Sequence, residues 1–222
     1  MNEQLEMLGK LLSSPEGFLQ VLSSLVISLC VTAVFAAVLI NFLSCRQSQE
    51  KGIKRERKSV VATGTMTLFF LLYYVVIRVR LGEVEIHPAG LRVGMVVTGL
   101  VVLVFGCAVN ILGRFRLGGN WANQATIYQE QKLVTAGVFG WVRHPLYASL
   151  IWMFFGASLV YANVVACLLN ALVFWPFMTY RAGLEEAMLA REFSEYDDYK
   201  RRVGRFFWKP RFLQDPPERK EP

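Results

Sequence analysis

The chain has 222 residues, of which 54% are hydrophobic and 18% are charged. This composition excludes an ordinary soluble domain of this length and indicates that lipid surrounds much of the surface. The net charge of +7 does not indicate nucleic acid binding, because the basic residues lie beside apolar stretches, where membrane topology accounts for them. We expect one membrane domain over 1–222, with anionic lipid headgroups as the partner of its basic connectors.

Four long stretches carry no formal charge, and each is a candidate for crossing a bilayer core about 30 Å thick, which needs roughly 20 apolar residues per helix. The last stretch, 145–180, is too long for one ordinary span. Its polar break at Tyr161, Ala162 and Asn163 can form the turn of a helical hairpin. The sequence therefore predicts an all-α polytopic fold of about five spans, over residues 18–44, 59–79, 91–113, 146–161 and 163–180.

Lys and Arg are distributed unevenly between the connectors. With the N-terminus outside, the inner segments 46–58, 114–144 and 181–222 hold 20 of the 24 basic residues. Because basic residues are retained on the cytoplasmic side, this count predicts an outer N-terminus and a cytoplasmic C-terminus. We expect an integral, multi-pass protein of the bacterial inner membrane or the endoplasmic reticulum.

Three predicted segments lie on the cytoplasmic side. The loop 114–145 is too polar for lipid, and irregular backbone near a membrane is tolerated where it lines a protein cavity. We expect it to form one wall of a site. After Tyr180, apolar and aromatic residues recur at three- to five-residue steps, which predicts an amphipathic helix over 182–204. The polar tail 214–222 contains prolines, and we expect it to be disordered.

The common signatures of soluble enzymes are missing from the sequence. It has neither a GxGxxG fingerprint nor a P-loop, and no GxSxG elbow. Its two histidines, His87 and His144, are predicted to lie on opposite sides of the membrane, so we expect no metal site.

Ionisable residues cluster at the inner ends of the last two predicted spans. Residues 143–145 read Arg-His-Pro at the start of the fourth span, and Arg181, Glu185 and Glu186 follow the fifth. A tight antiparallel hairpin brings these two groups together. Arg181 and Glu185 share a helical face, whereas Glu186 is turned by about 100°. An ordinary ion pair between Arg181 and Glu185, without catalytic duty, remains an alternative.

Several motifs accompany this cluster between residues 111 and 210. In chain order they are Leu117-Gly118-Gly119-Asn120-Trp121, Gln131-Lys132-Leu133-Val134-Thr135-Ala136-Gly137-Val138-Phe139, Arg143-His144-Pro145-Leu146-Tyr147, Glu185-Glu186, Leu189, Phe193, Tyr196, Tyr199, Val203 and Pro210. With these motifs the sequence resembles the isoprenylcysteine carboxyl methyltransferase and phospholipid methyltransferase superfamily, whose members are integral membrane enzymes.

The resemblance implies that S-adenosylmethionine is the cofactor, in a pocket roofed by the loop before the fourth span and floored by the C-terminal helix. It implies that Arg181 faces the methyl acceptor. The residues that it implies as cofactor contacts are Gln124, Gln131, Lys132, Leu133, Val134, Phe139, His144, Pro145, Leu146, Tyr147 and Glu185. Two positions depart from the pattern: Phe139 stands where tyrosine is frequent, and Ser194 stands where glycine is common.

The chemistry of methyl transfer agrees with this implied site. Transfer from a sulfonium is an in-line displacement, which needs proximity, alignment and a dry site. A guanidinium such as that of Arg181 can hold a carboxylate bidentately, and a carboxylate is already nucleophilic at neutral pH. We therefore expect a lipophilic acceptor, possibly a carboxylate of the isoprenylcysteine type, that enters laterally from the bilayer.

Two other functions remain open at this point. NADPH-dependent sterol or steroid reductases share an Arg-His-Pro-x-Tyr element and a similar C-terminal helix. Against them, Leu146 stands where that group usually has asparagine, Glu185 and Glu186 would repel a 2′-phosphate, and five spans are fewer than sterol reductases carry. The other alternative is a non-catalytic membrane scaffold or binding protein that retains the same architecture.

Overall fold

The structure is a computed structural model that describes residues 14–48, 53–57, 60–118, 125–128 and 132–209. Its elements in chain order are helix α1 (Pro15–Ser48), strand β1 (Ile53–Arg57), helix α2 (Val60–Arg78), helix α3 (Ala89–Leu117), strand β2 (Ala125–Tyr128), a 3₁₀ turn (Gly137–Gly140), helix α4 (Pro145–Val160), helix α5 (Val164–Leu169), a π turn (Asn170–Phe174), helix α6 (Trp175–Glu192) and helix α7 (Tyr196–Arg202). Gln124, Gln131 and the predicted tail 214–222 lie outside the described residues.

The described chain contains three helical segments that are long and apolar enough to cross a membrane. They are Gly17–Leu43, Ala89–Leu117 and Val164–Glu192, and two shorter apolar helices, Gly64–Arg78 and Pro145–Val160, accompany them. Large apolar side chains on these helices face outward, including Phe35 at 71% exposure, as expected where lipid is the solvent. The all-α polytopic membrane fold predicted from the sequence is confirmed.

Helices α3 and α4 pack closely because glycines remove side chains from their contact. A Cβ atom added at Gly99 would lie 2.5 Å from the carbonyl oxygen of Gly156, and one at Gly106 would lie 2.9 Å from that of Ser149. Small residues commonly allow such backbone approach between membrane helices. The contact holds α4, which begins at the Arg-His-Pro element, against α3.

The chain turns between α4 and α5 at residues 161–163, the polar break where the sequence predicts a hairpin. Ala162 adopts a positive φ of 45°. The Asn163 side chain accepts a hydrogen bond of 2.8 Å from the Ala166 N–H, and thereby caps α5. Because α4 and α5 are antiparallel neighbours, the start of α4 and the far end of the last helical segment lie on the same side of the fold.

A π turn joins α5 to α6, so the last helical segment is not a uniform α-helix. The N–H of Trp175 donates to the carbonyl of Asn170, five residues earlier. Pro176 follows at the first turn of α6 and cannot donate a backbone hydrogen bond to the preceding turn. The helix then continues to Glu192, beyond the predicted end of the span at residue 180.

The predicted amphipathic helix over 182–204 is interrupted in the structure. Helix α6 ends at Glu192, Phe193 is extended with φ −119° and ψ 111°, and α7 begins at Tyr196. The break buries Tyr196 and Tyr199, and the Tyr199 hydroxyl donates to the carbonyl of Phe139 at 2.7 Å. Tertiary burial has therefore overridden the helical periodicity read from the sequence.

Strands β1 and β2 form a small antiparallel sheet in which Ile53 pairs with Tyr128 and Arg57 pairs with Ala125. The sequence analysis did not predict these strands. The pairing joins the first basic connector to the loop before α4. The first basic connector therefore contributes to the structure around that loop and is not only a determinant of membrane topology.

Candidate active site

The backbone at the start of α4 is held by the segment that follows α7. The N–H of Arg143 donates to the carbonyl of Gly204 at 2.8 Å, and that of His144 donates to the carbonyl of Arg205 at 3.1 Å. Pro145 occupies the first helical position, where its missing N–H leaves no intrahelical bond unmade. The C-terminal segment therefore positions the Arg-His-Pro element.

A buried polar chain fixes the same end of α4 against α3. The Asn110 side chain donates to Ser149 Oγ at 2.8 Å and to the Leu146 carbonyl at 3.3 Å. Its own carbonyl oxygen accepts a hydrogen bond of 2.9 Å from Arg114 Nε. Because buried polar groups are stable only when they are hydrogen-bonded, this chain restricts how the first turn of α4 can lie.

Glu186 is the centre of a buried ionic cluster. Its carboxylate lies 3.0 Å from Arg143 Nη2, 2.6 Å from Arg205 Nη2 and 3.1 Å from His144 Nε2. The Glu186 side chain is only 5% exposed. We call Glu186, Arg143 and Arg205 the Glu186 cluster. A carboxylate so enclosed by donors links α6, the start of α4 and the C-terminal segment.

Glu185 faces a different set of groups. It accepts a hydrogen bond from the Tyr147 hydroxyl, and the Arg181 guanidinium carbon lies 5.6 Å from the centre of the Tyr147 ring. The Glu185 side chain is 27% exposed. We call Glu185, Tyr147 and Arg181 the Glu185 cluster. Its carboxylate has open surface with which to bind a ligand.

His144 lies between the two carboxylates. Its Nε2 is 3.1 Å from Glu186 Oε1, and its Nδ1 is 3.6 Å from Glu185 Oε2. Burial by itself lowers the pKa of His144, but hydrogen bonds and charge from Glu185 and Glu186 outweigh burial and raise that pKa above its usual value. The imidazolium form is therefore favoured and can donate toward both carboxylates.

Arg181 also reaches toward the membrane helices. Its Nη1 lies 2.7 Å from Met66 Sδ on α2. Farther along α2, Phe69 and Tyr73 pack with Phe154 and Phe174 in an aromatic cluster. The Arg181 guanidinium thus lies between the Tyr147 ring and α2, beside the apolar helices.

The structure brings together Arg181, Glu185, His144 and Tyr147 among the residues predicted for the site. Pro145 and Leu146, which were also predicted as cofactor contacts, pack against α3 instead. A Cβ atom added at Gly113 of α3 would lie 3.1 Å from Leu146 Cδ2 and 3.5 Å from Pro145 Cγ.

The loop residues predicted as cofactor contacts form a separate group. Val134 and Phe139 pack with Val109, Val138, Leu117 and Trp152 in a small apolar core. Lys132 is exposed and Leu133 is half-buried. Their predicted role in cofactor binding stays a prediction.

The sequence analysis placed Arg143 and Glu186 among the ionisable residues at the inner ends of the spans, but it did not predict that they form a buried ionic cluster with Arg205. The 100° separation of neighbouring helical residues was a usable signal, since it implies that only one of the adjacent glutamates can share the face of Arg181. The periodicity after Tyr180 contains no comparable signal for Arg205, which follows the isolated β-bridge between Gly204 and Val142.

Comparisons with known proteins agree with the motifs. Residues 97–191 match the model of the isoprenylcysteine carboxyl methyltransferase family. The chain is 35% identical over 109 residues to protein-S-isoprenylcysteine O-methyltransferase of Mus musculus, a match that covers 48% of this chain and 38% of the relative. With the protein of that name from Saccharomyces cerevisiae it is 32% identical over 111 residues, or 46% of each chain. The chain therefore spans less than half the length of these curated relatives.

A solved structure shares the fold. It is that of the eukaryotic intramembrane Ras methyltransferase, an isoprenylcysteine carboxyl methyltransferase, and it superposes with a TM-score of 0.53 at 22% identity. The match covers 84% of this chain and 68% of the other. Residues 97–191, which match the model of the isoprenylcysteine carboxyl methyltransferase family, include every residue of the two carboxylate clusters except Arg205.

Proposed function

We propose that this chain is an S-adenosylmethionine-dependent methyltransferase that acts on a lipophilic acceptor. The observation that carries the proposal is the meeting of Tyr147 and His144 from α4 with Glu185 and Arg181 from α6. Two segments separated by more than thirty residues converge on an open carboxylate and a guanidinium beside apolar helices. The names of the relatives support a methyltransferase of this class.

The Glu185 cluster is suited to the donor. S-adenosylmethionine would supply a methyl group activated on a sulfonium, together with amino and hydroxyl groups that a carboxylate can bind. Glu185 offers open oxygen surface for those donors, and the Tyr147 ring can tolerate a cation near its face. Gln124, Gln131 and residues 132–134 remain proposed contacts on the loop side. Glu185, Tyr147 and His144 supply the hydrogen-bonding groups that binding of the methyl donor needs, and none of these proposed contacts requires a metal.

Arg181 is suited to the methyl acceptor. A guanidinium binds a carboxylate bidentately, and its position against Met66 faces the membrane helices. The relatives named protein-S-isoprenylcysteine O-methyltransferase transfer to an oxygen of a prenylated cysteine. We therefore propose a carboxylate acceptor with an apolar tail, whose charge Arg181 orients toward the donor while its tail lies among the apolar helices.

The proposed enzyme lies with its site toward the cytoplasm. The excess of Lys and Arg in the connectors on the side of the site supports a cytoplasmic C-terminus and an outer N-terminus. The same basic connectors would contact anionic headgroups. Accessibility of cysteines introduced at exposed positions of the outer connector, such as Glu85, and after α7 would test this orientation in sealed vesicles.

Ligand titration of the detergent-purified protein distinguishes the proposed function from its alternatives. We expect saturable binding of S-adenosylmethionine and of its demethylated product, with no saturable binding of NADPH. Binding of NADPH alone would indicate a reductase instead. Binding of neither ligand, by protein with an intact helical circular-dichroism spectrum, would favour a non-catalytic scaffold.

The acceptor is identified by product analysis. Membranes containing the protein are incubated with methyl-labelled S-adenosylmethionine, and the labelled lipid fraction is treated with mild base. A carboxyl methyl ester releases its label as methanol, whereas a methylated amine or thioether retains it. Base-stable label would contradict the proposed carboxylate acceptor while leaving methyl transfer itself established.

A further inference from the structure

The π turn between α5 and α6 lies at a buried position that is tied to α4. Asn170 is fully buried, and its side-chain amide donates to the carbonyl of Ile151 at 2.9 Å. The backbone carbonyl of Asn170 accepts a hydrogen bond from the Trp175 N–H. Asn170 therefore holds the first residue of the π turn against a neighbouring helix by one hydrogen bond and closes the turn by another.

The buried residues of this helical segment recur every four positions. They are Ala166, Asn170, Phe174, Met178, Ala182 and Glu186. In an uninterrupted α-helix, positions spaced by four rotate by about 40° per step, so this row would wind roughly 200° around the helix axis. A π turn accommodates one additional residue and removes about 100° of that rotation. The turn keeps the row closer to one face.

The same rotation determines where the site residues of α6 point. Arg181 and Glu185 lie 100° behind Ala182 and Glu186 respectively, so a rotation of α6 by one residue would carry Arg181 to the buried position of Ala182 and Glu185 to that of Glu186. We propose that the π turn Asn170–Phe174 sets the rotation of α6, and that Asn170 is a positioning residue for Arg181 and Glu185.

Pro176 explains why the turn forms at this place. Proline has no N–H, and its ring crowds the carbonyl four residues earlier, here that of Leu172. A wider turn relieves this crowding. Asn170 then selects the location by bonding to Ile151. Only the ligand-binding part of the test rests on the proposed methyltransferase function, since the rotation itself can be observed at His144.

A double substitution and a compensating deletion test the proposal. Asn170→Leu with Pro176→Ala removes the two features that favour the π turn at an unchanged residue count, so the segment should become α-helix and rotate α6 by about 100°. Deletion of Leu172, which is 69% exposed and lies within the π turn, removes the additional residue from the same chain and should restore the rotation of Arg181 and Glu185. The matched control is Leu172→Ala, which shortens the side chain without changing the residue count.

His144 provides a readout that does not require a ligand. The chain has two histidines, so in a His87→Gln background the imidazole signals observed by NMR belong to His144. We expect the double substitution to lower the pKa of His144, because only one of the two glutamates stays beside its ring, and the compensated chain to regain the higher pKa. Leu172→Ala should match the parent.

Binding of S-adenosylmethionine is the second readout. We expect the double substitution to weaken binding about tenfold or more, as for loss of charged hydrogen bonds, and the compensated chain to recover most of the affinity. Unchanged His144 titration in the double substitution, or a compensated chain no closer to the parent than the double substitution, would overturn the proposed register. A parent that binds no S-adenosylmethionine would overturn the proposed function, while the His144 titration would still decide the rotation.

Discussion

Two neighbouring carboxylates on α6 have opposite surroundings. The Glu186 side chain is 5% exposed and is enclosed by Arg143, Arg205 and His144, whereas the Glu185 side chain is 27% exposed and contacts Tyr147. The first holds three segments of the chain together, and the second has surface left for a ligand. The difference shows how a helix at a membrane boundary can separate structural and ligand-binding duties between adjacent residues.

The comparison predicts that Glu186 is the more important glutamate for stability. Glu186→Gln leaves the buried Arg143 and the partly exposed Arg205 without their counter-charge, and removal of one partner from a buried ionic network typically costs about 3–5 kcal/mol. We expect a correspondingly lower free energy of unfolding, measured by denaturant titration in detergent. Glu185→Gln is the matched control, and equal losses in the two variants would contradict the division of roles.

Arg181 should affect turnover more than folding. Arg181→Ala removes the proposed contact with the acceptor, and loss of one electrostatic group at a reacting centre commonly lowers kcat by about 10²–10³. We expect S-adenosylmethionine affinity to stay near that of the parent. Initial-rate measurements and ligand titration separate the two effects, with the exposed Arg191→Ala as control. A large loss of donor affinity together with unchanged kcat would place Arg181 on the donor side instead.

Glu185 should affect donor binding more than stability. Glu185→Gln preserves the shape of the side chain but removes its charge, and a hydrogen bond to a charged group contributes about 1.5–3 kcal/mol. We expect S-adenosylmethionine to bind roughly 10- to 100-fold more weakly, by calorimetry or equilibrium dialysis. The exposed Glu195→Gln is the control. Unaltered affinity in Glu185→Gln would remove Glu185 from the donor site.

The smallest expected effect is a pH dependence that passes through both clusters. The pKa of His144 is raised in the folded chain, so its pairing with Glu185 and Glu186 stabilises fully below the unfolded-state pKa of about 6.5. That contribution is lost as pH rises through the folded-state pKa. Unfolding measured across this range should show the decline in the parent and in His87→Gln. A decline that persists in His144→Gln would assign it to another group.

Much of the site was predictable because its chemistry is confined to short segments. The Arg-His-Pro element precedes one apolar stretch, and Arg181 and Glu185 follow the next, so an antiparallel hairpin was sufficient to place them together. An isolated ion pair between Arg181 and Glu185 was the alternative, and it would not involve Tyr147. In the structure the Tyr147 hydroxyl donates to Glu185, and the Tyr147 ring lies beside the Arg181 guanidinium. The spacing of residues along the sequence could not show these contacts.

Other features depended on contacts between distant parts of the chain. The break after Glu192 buries Tyr199 against Phe139, sixty residues away, and the periodicity of 182–204 contains no sign of it. The close approach of Gly99 and Gly156 joins two helices that the sequence treats as separate spans. In both cases the deciding interaction is a tertiary contact, which local propensity does not record.

The sequence by itself determined the membrane class, the helical hairpin and the residue types at its inner ends, because apolar length and charge distribution act locally along the chain. Only the tertiary structure decided which glutamate is enclosed and which is open. That choice depends on the rotation of α6 about its axis, and the rotation follows from a π turn and from the packing of Asn170 and Glu186 against other segments.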